Sequence, residues 1–305
     1  MRIVFMGTPE FAVASLDALI KAGSNIVGVV TAPDKPAGRG QKVSESAVKI
    51  YAIANGLKVL QPENLKDENF HVELRSLQAD LQVVVAFRML PEVVWNMPWK
   101  GTINLHASLL PQYRGAAPLN WVLINGEKES GVTTFFLKQD IDTGNILFTE
   151  KVTLTGHETA GDLHARLMYK GAGLLVKTVK AVESGRYSEH PQEELAAGTE
   201  LKPAPKIFKD DCLIDPNQPT EKIYNKIRGL SPYPTAYILL NEKLLKIFAA
   251  EYELTSTGEQ PGEFFTDNKT YLKFSAQDGF ITLTDVQMEG KKRMGIEEFL
   301  RGVKL

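Results

Sequence analysis

The 305-residue chain contains a single cysteine, Cys212. One cysteine excludes an internal disulfide framework and argues against a metal site built from cysteine ligands. No apolar run approaches the ~20 residues of a membrane-spanning helix. Gly7-Thr8-Pro9 ends the apolar start, Met1–Met6, so this apolar stretch is shorter than the one a secretory signal peptide needs. We therefore expect no membrane partner and a cytoplasmic location.

The chain also has no large excess of positive or negative charge. The 35 basic residues are balanced by 37 acidic ones, for a formal net charge of −2. Overall charge therefore gives no indication of a nucleic-acid partner, although a local basic stripe is compatible with the same balance. Of the five histidines, His157 and His164 lie seven residues apart without a carboxylate arranged as a third ligand, so we expect no metal.

The first half of the chain alternates strand and helix patterns. Short apolar runs at Ile3–Met6, Ile26–Val30 and Leu81–Phe87 indicate buried strands, and Ser44–Asn55 indicates an intervening helix that Gly56 ends. Such alternation predicts an α/β fold with a doubly wound, mostly parallel sheet, a Rossmann variant. In such sheets the ligand crevice lies at the carboxyl ends of the strands.

The last hundred residues have a different pattern. Short strand-like runs are separated by Asn, Asp and Gly, at 236–240, 244–250, 262–265, 271–274 and 280–287. This spacing is typical of a small β-barrel, and we expect an OB-like one. We therefore divide the chain into a domain at residues 1–200 and a C-terminal β-barrel domain at residues 206–305.

Three polar residues are candidates for chemistry. Asn104 and His106 are two apart on a predicted strand, so their side chains point to the same face. Asp142 lies in a loop between two further strand patterns, which we expect to pair as a hairpin. An amide and an imidazole can stabilise an oxyanion, and a carboxylate can move a proton, which together suits acyl transfer. Each residue taken alone is more often structural.

A dinucleotide-dependent oxidoreductase is disfavoured. Gly7-Thr8-Pro9-Glu10 follows the first strand, where that fold carries G-x-G-x-x-G, but the second and third glycines are absent.

The combination of motifs is more specific than its parts. Asn-x-His at 104–106, Ser-Leu-Leu-Pro-x-Tyr-Arg-Gly at 108–115 and Asp-x-Gly at 142–144 together resemble the folate-dependent formyltransferase family, and the resemblance covers nearly the whole chain. It implies a formyltransferase that uses 10-formyltetrahydrofolate and needs no metal. By the same resemblance Asn104, His106 and Asp142 are catalytic. The folate is implied to pack against Ser108, Leu109, Leu110 and Pro111.

Within the family, the resemblance is closest to members that formylate initiator methionyl-tRNA. Pro-Asp-Lys-Pro-Ala-Gly-Arg-Gly at 33–40 looks like their tRNA-contacting loop, in which Lys35, Arg39 and Lys42 are spaced cations among glycines and prolines. The resemblance implies that residues 206–305 also bind tRNA. We expect a monomer.

The chain departs from these members in three places. They more often carry glycine near Arg88 and tryptophan at the position of Asp215, and the stretch at 228–234 is a variant of their Asn-Pro-Trp-Pro motif. A sugar-nucleotide N-formyltransferase is the main alternative, but a small sugar acceptor has no use for the 33–42 loop. Glycinamide ribonucleotide formyltransferase would leave the C-terminal domain without a role. A formyltetrahydrofolate deformylase would carry a regulatory domain in front. A non-catalytic tRNA-binding protein would not need Asn104, His106 and Asp142 together.

Overall fold

The computed structural model describes residues 1–37, 42–256 and 258–303. The chain forms two compact units, and neither is one continuous stretch. Unit 1 comprises Met1–Arg114, Gly131–Val152 and Ala165–Lys202, and unit 2 comprises Gly115–Ser130, Thr153–His164 and Pro203–Leu305.

Unit 1 is built on a seven-stranded sheet of order β5-β2-β1-β6-β7-β8-β9. The pairs β1–β2, β1–β6, β2–β5 and β6–β7 are parallel and β7–β8 is antiparallel, which confirms the expected doubly wound, mostly parallel sheet. The strands are β1 Arg2–Gly7, β2 Asn25–Val30, β5 Val59–Leu60, β6 Leu81–Val85, β7 Thr102–His106, β8 Glu129–Phe136 and β9 Ile146–Thr153.

The central strands are apolar because helices cover both faces of the sheet. Every residue of β6 is buried, and so are residues 3–7 of β1, as expected for parallel strands. The helices of this part of the chain are α1 Glu10–Lys21, α2 Ala47–Ala54, α3 Glu68–Ser76, α4 Glu92–Trp95, α6 Ala160–Ser184, most of which belongs to unit 1, and α7 Gln192–Ala196. Helix α2 begins where Ser46 caps the backbone N–H of Lys49.

The segment expected to be a loop at 33–42 contains a short hairpin. Strands β3 (Lys35–Ala37) and β4 (Lys42–Ser44) pair antiparallel. The prediction of a plain loop was therefore wrong at its two ends. Residues between the strands lie outside the described residues. The sequence did not indicate these strands because proline, here at position 36, and glycine, which occurs nearby, are both uncommon within strands.

Unit 2 carries an antiparallel sheet of the half-barrel type, of order β10-β11-β14-β13-β12, with β15 paired to β14. Its strands reproduce the five sequence patterns within a few residues. They are β10 Ala236–Leu240, β11 Lys243–Leu254, β12 Phe264–Thr266, β13 Leu272–Ala276, β14 Gly279–Met288 and β15 Met294–Gly295. Helices α5 Pro118–Ile124, α8 Thr220–Leu230 and α9 Ile296–Gly302 belong to the same unit, and the sequence patterns did not indicate them.

Asp215, one of the departures named above, forms a local turn. Its carboxylate accepts hydrogen bonds from the side chain and the backbone N–H of Asn217, which hold the pKa of this carboxyl below its usual range.

Within the described ranges, no helix combines the length and the apolar character needed to cross a membrane.

Candidate active site

The carboxyl edge of the parallel strands gathers the polar residues of the sequence motifs. Strands β1, β6 and β7 run parallel side by side, so they end at the same edge of the sheet. Asn104 and His106 lie at the carboxyl end of β7, where Asn104 pairs with Val84 of β6. The two side chains share one face because they are two residues apart. Asn104 is half-buried, and its side chain makes no hydrogen bond to another described residue.

His106 is held in one orientation. Its side chain is only 8% exposed, and its Nε2 lies 2.9 Å from the carbonyl oxygen of Tyr113. A carbonyl oxygen only accepts, so Nε2 carries a proton and donates it to this bond. The other ring nitrogen, Nδ1, faces Asp142, at 3.7 Å from the carboxylate Oδ2. Nδ1 is therefore the ring atom that faces the carboxylate.

Asp142 lies in the loop between β8 and β9, which are neighbours in the sheet as expected for the predicted hairpin. Its backbone is left-handed, with φ of 55°, and its side chain is 12% exposed. Gly144 allows the loop to pass the preceding strand, because a Cβ at this position would lie 1.5 Å from the carbonyl oxygen of Phe136. The loop conformation thus depends on the glycine of the Asp-x-Gly motif.

A buried glutamine that the sequence did not indicate fixes this loop. Gln192, at the start of α7, is fully buried. Its Nε2 donates to the carbonyl oxygens of Asp142 and Gly144, both at 2.8 Å. Its Oε1 accepts from Nε and Nη2 of Arg114, at 3.0 and 2.7 Å. Gln192 therefore links the Ser-Leu-Leu-Pro-x-Tyr-Arg-Gly motif to the Asp142 loop.

The four residues expected to pack around folate are not equally accessible. Ser108 and Leu110 are buried, whereas Leu109 and Pro111 are half-exposed. The hydroxyl of Ser108 donates to the carbonyl oxygen of Gln112, so it braces the motif. A ligand in this region would touch the side chains of Leu109 and Pro111 more readily than those of the other two. The amide of Asn104 and these apolar side chains suit a donor with a flat, partly apolar ring system.

The three residues expected to contact tRNA are described unequally. Lys35 is exposed at the start of β3. Arg39 lies outside the described residues, and for Lys42 only the backbone, in β4, is described. Asp34 immediately precedes the hairpin and anchors it by hydrogen bonds to other parts of unit 1. The carboxylate of Asp34 accepts from Lys49 Nζ and, at 2.8 Å, from Gln61 Nε2.

Together these groups can carry out acyl transfer. The Asn104 amide, which has no hydrogen-bond partner among the described residues, lies at the edge where open α/β sheets bind ligands. An imidazole with one nitrogen fixed and a carboxylate that faces the other nitrogen lie at the same edge. Donors of this kind stabilise an oxyanion, and the carboxylate can relay a proton.

Comparison with known proteins gives the family. Residues 1–179 match the family model described as formyl transferase, and residues 206–304 match the formyl transferase C-terminal domain. The chain belongs to the formyl transferase family. Curated methionyl-tRNA formyltransferases are similar over the whole chain. That of Bacteroides fragilis is 52% identical over 310 residues, covering 100% of this chain and 96% of the relative. That of Parabacteroides distasonis is 54% identical over 311 residues, with the same coverage.

Solved structures share the fold at lower identity. The methionyl-tRNA formyltransferase of Clostridium thermocellum matches with a TM-score of 0.58 at 16% identity, covering 94% of this chain and 98% of that one. The sugar 3N-formyl transferase WlaRD, solved with dTDP and 5-N-formyl-THF, matches with a TM-score of 0.68 at 21% identity, covering 96% and 99%. At these identities the matches show the fold alone, and both acceptor classes occur on it.

Proposed function

We propose that this protein transfers the formyl group of 10-formyltetrahydrofolate to the α-amino group of initiator methionyl-tRNA. The observation that carries the proposal is the meeting of Asn104, His106 and Asp142 at the carboxyl edge of the sheet, in a chain about half identical to methionyl-tRNA formyltransferases over its full length. The protein acts in the cytoplasm as a monomer. Residues 1–200 carry the chemistry, and residues 206–305 bind tRNA together with Lys35, Arg39 and Lys42.

The donor supplies a formyl group on N10, and that nitrogen leaves as the free amine. Leu109 and Pro111 line its site with their accessible apolar surfaces, and Ser108 and Leu110 support them from within. The Asn104 amide donates to the formyl oxygen. This donation strengthens as negative charge builds on the oxygen.

His106 has a fixed role because of its hydrogen bond to Tyr113. Its Nε2 proton is committed to that carbonyl, so any hydrogen bond to the reacting oxygen comes from Nδ1. Donation from Nδ1 requires the doubly protonated ring, an imidazolium. Asp142, 3.7 Å away, stabilises that positive charge. In this account His106 and Asn104 are the two oxyanion donors.

The proton balance runs through Asp142. The neutral amine of methionyl-tRNA attacks the formyl carbon and forms the new C–N bond. Asp142, directly or through a water, takes a proton from the attacking nitrogen and delivers it to N10 as the C–N10 bond breaks. The products are formyl-methionyl-tRNA and tetrahydrofolate, and no proton is gained or lost overall.

An acceptor comparison tests the function. Formyl transfer from 10-formyltetrahydrofolate is measured with charged initiator methionyl-tRNA, uncharged tRNA and a dTDP-amino-sugar as alternative acceptors. We expect transfer to the charged tRNA alone. Transfer to the amino-sugar alone would keep the chemistry and overturn the acceptor, which is the relevant second candidate because WlaRD has the same fold.

A further inference from the structure

The backbone around Tyr113 is held in an unusual conformation next to a catalytic residue. Tyr113 is buried, and its φ of 62° lies in the left-handed region, which residues with a Cβ rarely adopt. Its carbonyl oxygen accepts the hydrogen bond from Nε2 of His106 at 2.9 Å. A strained residue keeps such a conformation only where its surroundings fix it, and such residues cluster at functional sites. The groups that hold Tyr113 therefore also determine where the acceptor for His106 lies.

Those groups come from residues 200–202, which we call the strap. The backbone N–H of Tyr113 donates to the carbonyl oxygen of Lys202 at 2.7 Å. The side chain of Gln112 makes two reciprocal bonds to the same segment. Its Nε2 donates to the carbonyl oxygen of Glu200 at 2.9 Å, and its Oε1 accepts from the backbone N–H of Lys202 at 2.8 Å. These three hydrogen bonds join two consecutive residues of the motif to the strap.

Gln112 extends from a turn that is itself fixed. Its backbone N–H donates to the carbonyl oxygen of Leu109 at 3.1 Å, and its own carbonyl oxygen accepts from the hydroxyl of Ser108 at 2.7 Å. The motif up to Arg114 and the strap both belong to unit 1. A fixed turn therefore directs the amide of Gln112 towards the strap.

We propose that Gln112 is a positioning residue for formyl transfer, and that it acts on His106 through the strap and the carbonyl group of Tyr113. A hydrogen bond made by one imidazole nitrogen decides which nitrogen carries the proton in the neutral ring. With the Tyr113 carbonyl in place, the proton is on Nε2 and Nδ1 faces Asp142. If the carbonyl group moves away, neither the protonated nitrogen nor the orientation of the ring is fixed.

The inference rests on the proposed function, in which Nδ1 of His106 is an oxyanion donor. It goes beyond that function because the motif Ser-Leu-Leu-Pro-x-Tyr-Arg-Gly leaves position 112 open, so the resemblance assigns Gln112 no role. Gln192 acts on a different catalytic residue, since it holds the loop that carries Asp142.

The location of Gln112 separates positioning from stability. The side chain is half-buried, and its two bonds to the strap lie at exposed positions, so water can replace them when they are lost. A neutral hydrogen bond contributes little net stability, because folding exchanges it for a bond to water. A displacement of ~1 Å in a catalytic group, by contrast, costs about 10² in rate. Loss of the Gln112 amide should therefore slow the reaction much more than it destabilises the fold.

Four proteins test the role of Gln112: wild type, Gln112→Met, Gln112→Glu and the control Gln82→Met. The control removes a glutamine amide of the same unit, which is buried in β6 and hydrogen-bonded to Thr102, away from the carboxyl edge. For each protein we measure single-turnover formyl transfer to charged initiator methionyl-tRNA, the affinity for both substrates and the melting temperature. NMR of protein labelled with 15N-histidine, recorded across a pH titration, reports the protonated nitrogen of each neutral imidazole. The signals missing from His106→Ala identify His106.

We expect Gln112→Met to lower the single-turnover rate constant about ten- to hundredfold and to change substrate affinities and the melting temperature only slightly. The imidazole signals of His106 should move from the pattern of an Nε2-protonated ring towards a mixture of the two tautomers. Gln112→Glu keeps an acceptor for the backbone N–H of Lys202 and loses the donor to Glu200, so both of its readouts should fall between. Gln82→Met should lower the melting temperature and keep the rate constant and the His106 signals of wild type.

Three results would overturn the inference. A wild-type rate constant in Gln112→Met would mean that the strap does not position the site. A slower reaction with unchanged His106 signals would place the effect of Gln112 elsewhere. A loss confined to tRNA affinity would make Gln112 an acceptor contact. If Gln112→Met does not fold, the same criteria apply to Gln112→Glu.

Failure of wild type to formylate charged tRNA would instead reject the proposed function. The NMR comparison needs no substrate, so it would still show whether Gln112 fixes the state of His106.

Discussion

Gln192 offers the most demanding check on the site, because its role is visible only in three dimensions. The perturbation is Gln192→Met, which keeps the length of the side chain and removes its polar atoms. Four hydrogen bonds are lost, two to the carbonyl oxygens of Asp142 and Gly144 and two from Arg114. We expect the loop that carries Asp142 to shift relative to His106.

The magnitude follows from the number and kind of bonds. Two neutral bonds at ~1 kcal/mol each, with the charged Arg114 fork counted once at ~1.5–3 kcal/mol, give a stability loss of about 3.5–5 kcal/mol. For catalysis, a displacement of ~1 Å in a positioned group costs about 10² in rate. We therefore expect kcat to fall about a hundredfold at a temperature where the variant is folded, with KM for both substrates changed by less than a few-fold.

Two further variants separate positioning from stability. Gln192→Glu can still accept from Arg114 but cannot donate to the two carbonyl oxygens, so its kcat should fall as far as that of Gln192→Met. Gln82→Met is the control, because Gln82 is also buried and hydrogen-bonded, to Thr102, but lies at the amino-terminal part of β6, away from the carboxyl edge. It should lose stability and keep kcat. Wild-type kcat in both Gln192 variants would refute the reasoning.

Three other predictions are more local. Arg39→Ala should raise KM for methionyl-tRNA and leave folate binding unchanged in a titration, and a loss of folate affinity would contradict the assignment of the 33–42 loop to tRNA. Gly144→Ala should lower kcat at least tenfold in steady-state assays, because its Cβ would clash with the preceding strand. Gly173→Ala in α6 is the control and should raise the melting temperature, because no described atom lies within 4 Å of the Cβ that it adds. Burial alone would raise the pKa of Glu158, but neighbouring backbone N–H groups outweigh it and lower the value to about 2. The stability that Glu158 contributes is present above its unfolded pKa and is lost as the pH falls towards 2, so the difference in unfolding free energy between wild type and Glu158→Gln should shrink over that range. A difference in denaturant titrations that stays constant from pH 6 to about pH 3 would contradict this sign.

The sequence predicts the elements whose signal is local. The apolar run of β6 and the alternation of β10 to β14 are periodic, so their strands lie within a few residues of the expected bounds. Asn104 and His106 could be paired from their spacing alone, because strand geometry fixes which side chains share a face. Asp142 could be joined to them only through the family resemblance, since Asp-Thr-Gly is also ordinary turn chemistry.

The sequence does not predict contacts made through backbone atoms or between distant segments. The acceptor for His106 is the carbonyl oxygen of Tyr113, and no side-chain pattern reports on a carbonyl group. Gln192 is followed by two glutamates and reads as part of a solvated helix, yet it is fully buried. Helix α8 was missed for a similar reason. Its Gly229 sits against Ile124 and Asn120 of α5, more than a hundred residues earlier in the chain.

The central claim is that Asn104, His106 and Asp142 carry formyl transfer to methionyl-tRNA. Its most direct test is a single-turnover measurement, with enzyme and 10-formyltetrahydrofolate in excess over charged initiator methionyl-tRNA, for wild type, Asp142→Asn and His106→Ala. Loss of a general acid–base group costs ~10²–10⁴ in rate, and loss of an oxyanion donor costs ~10²–10³. We predict that the single-turnover rate constant of each variant falls within these ranges while both substrates still bind. Near-normal rate constants in both variants would contradict the account.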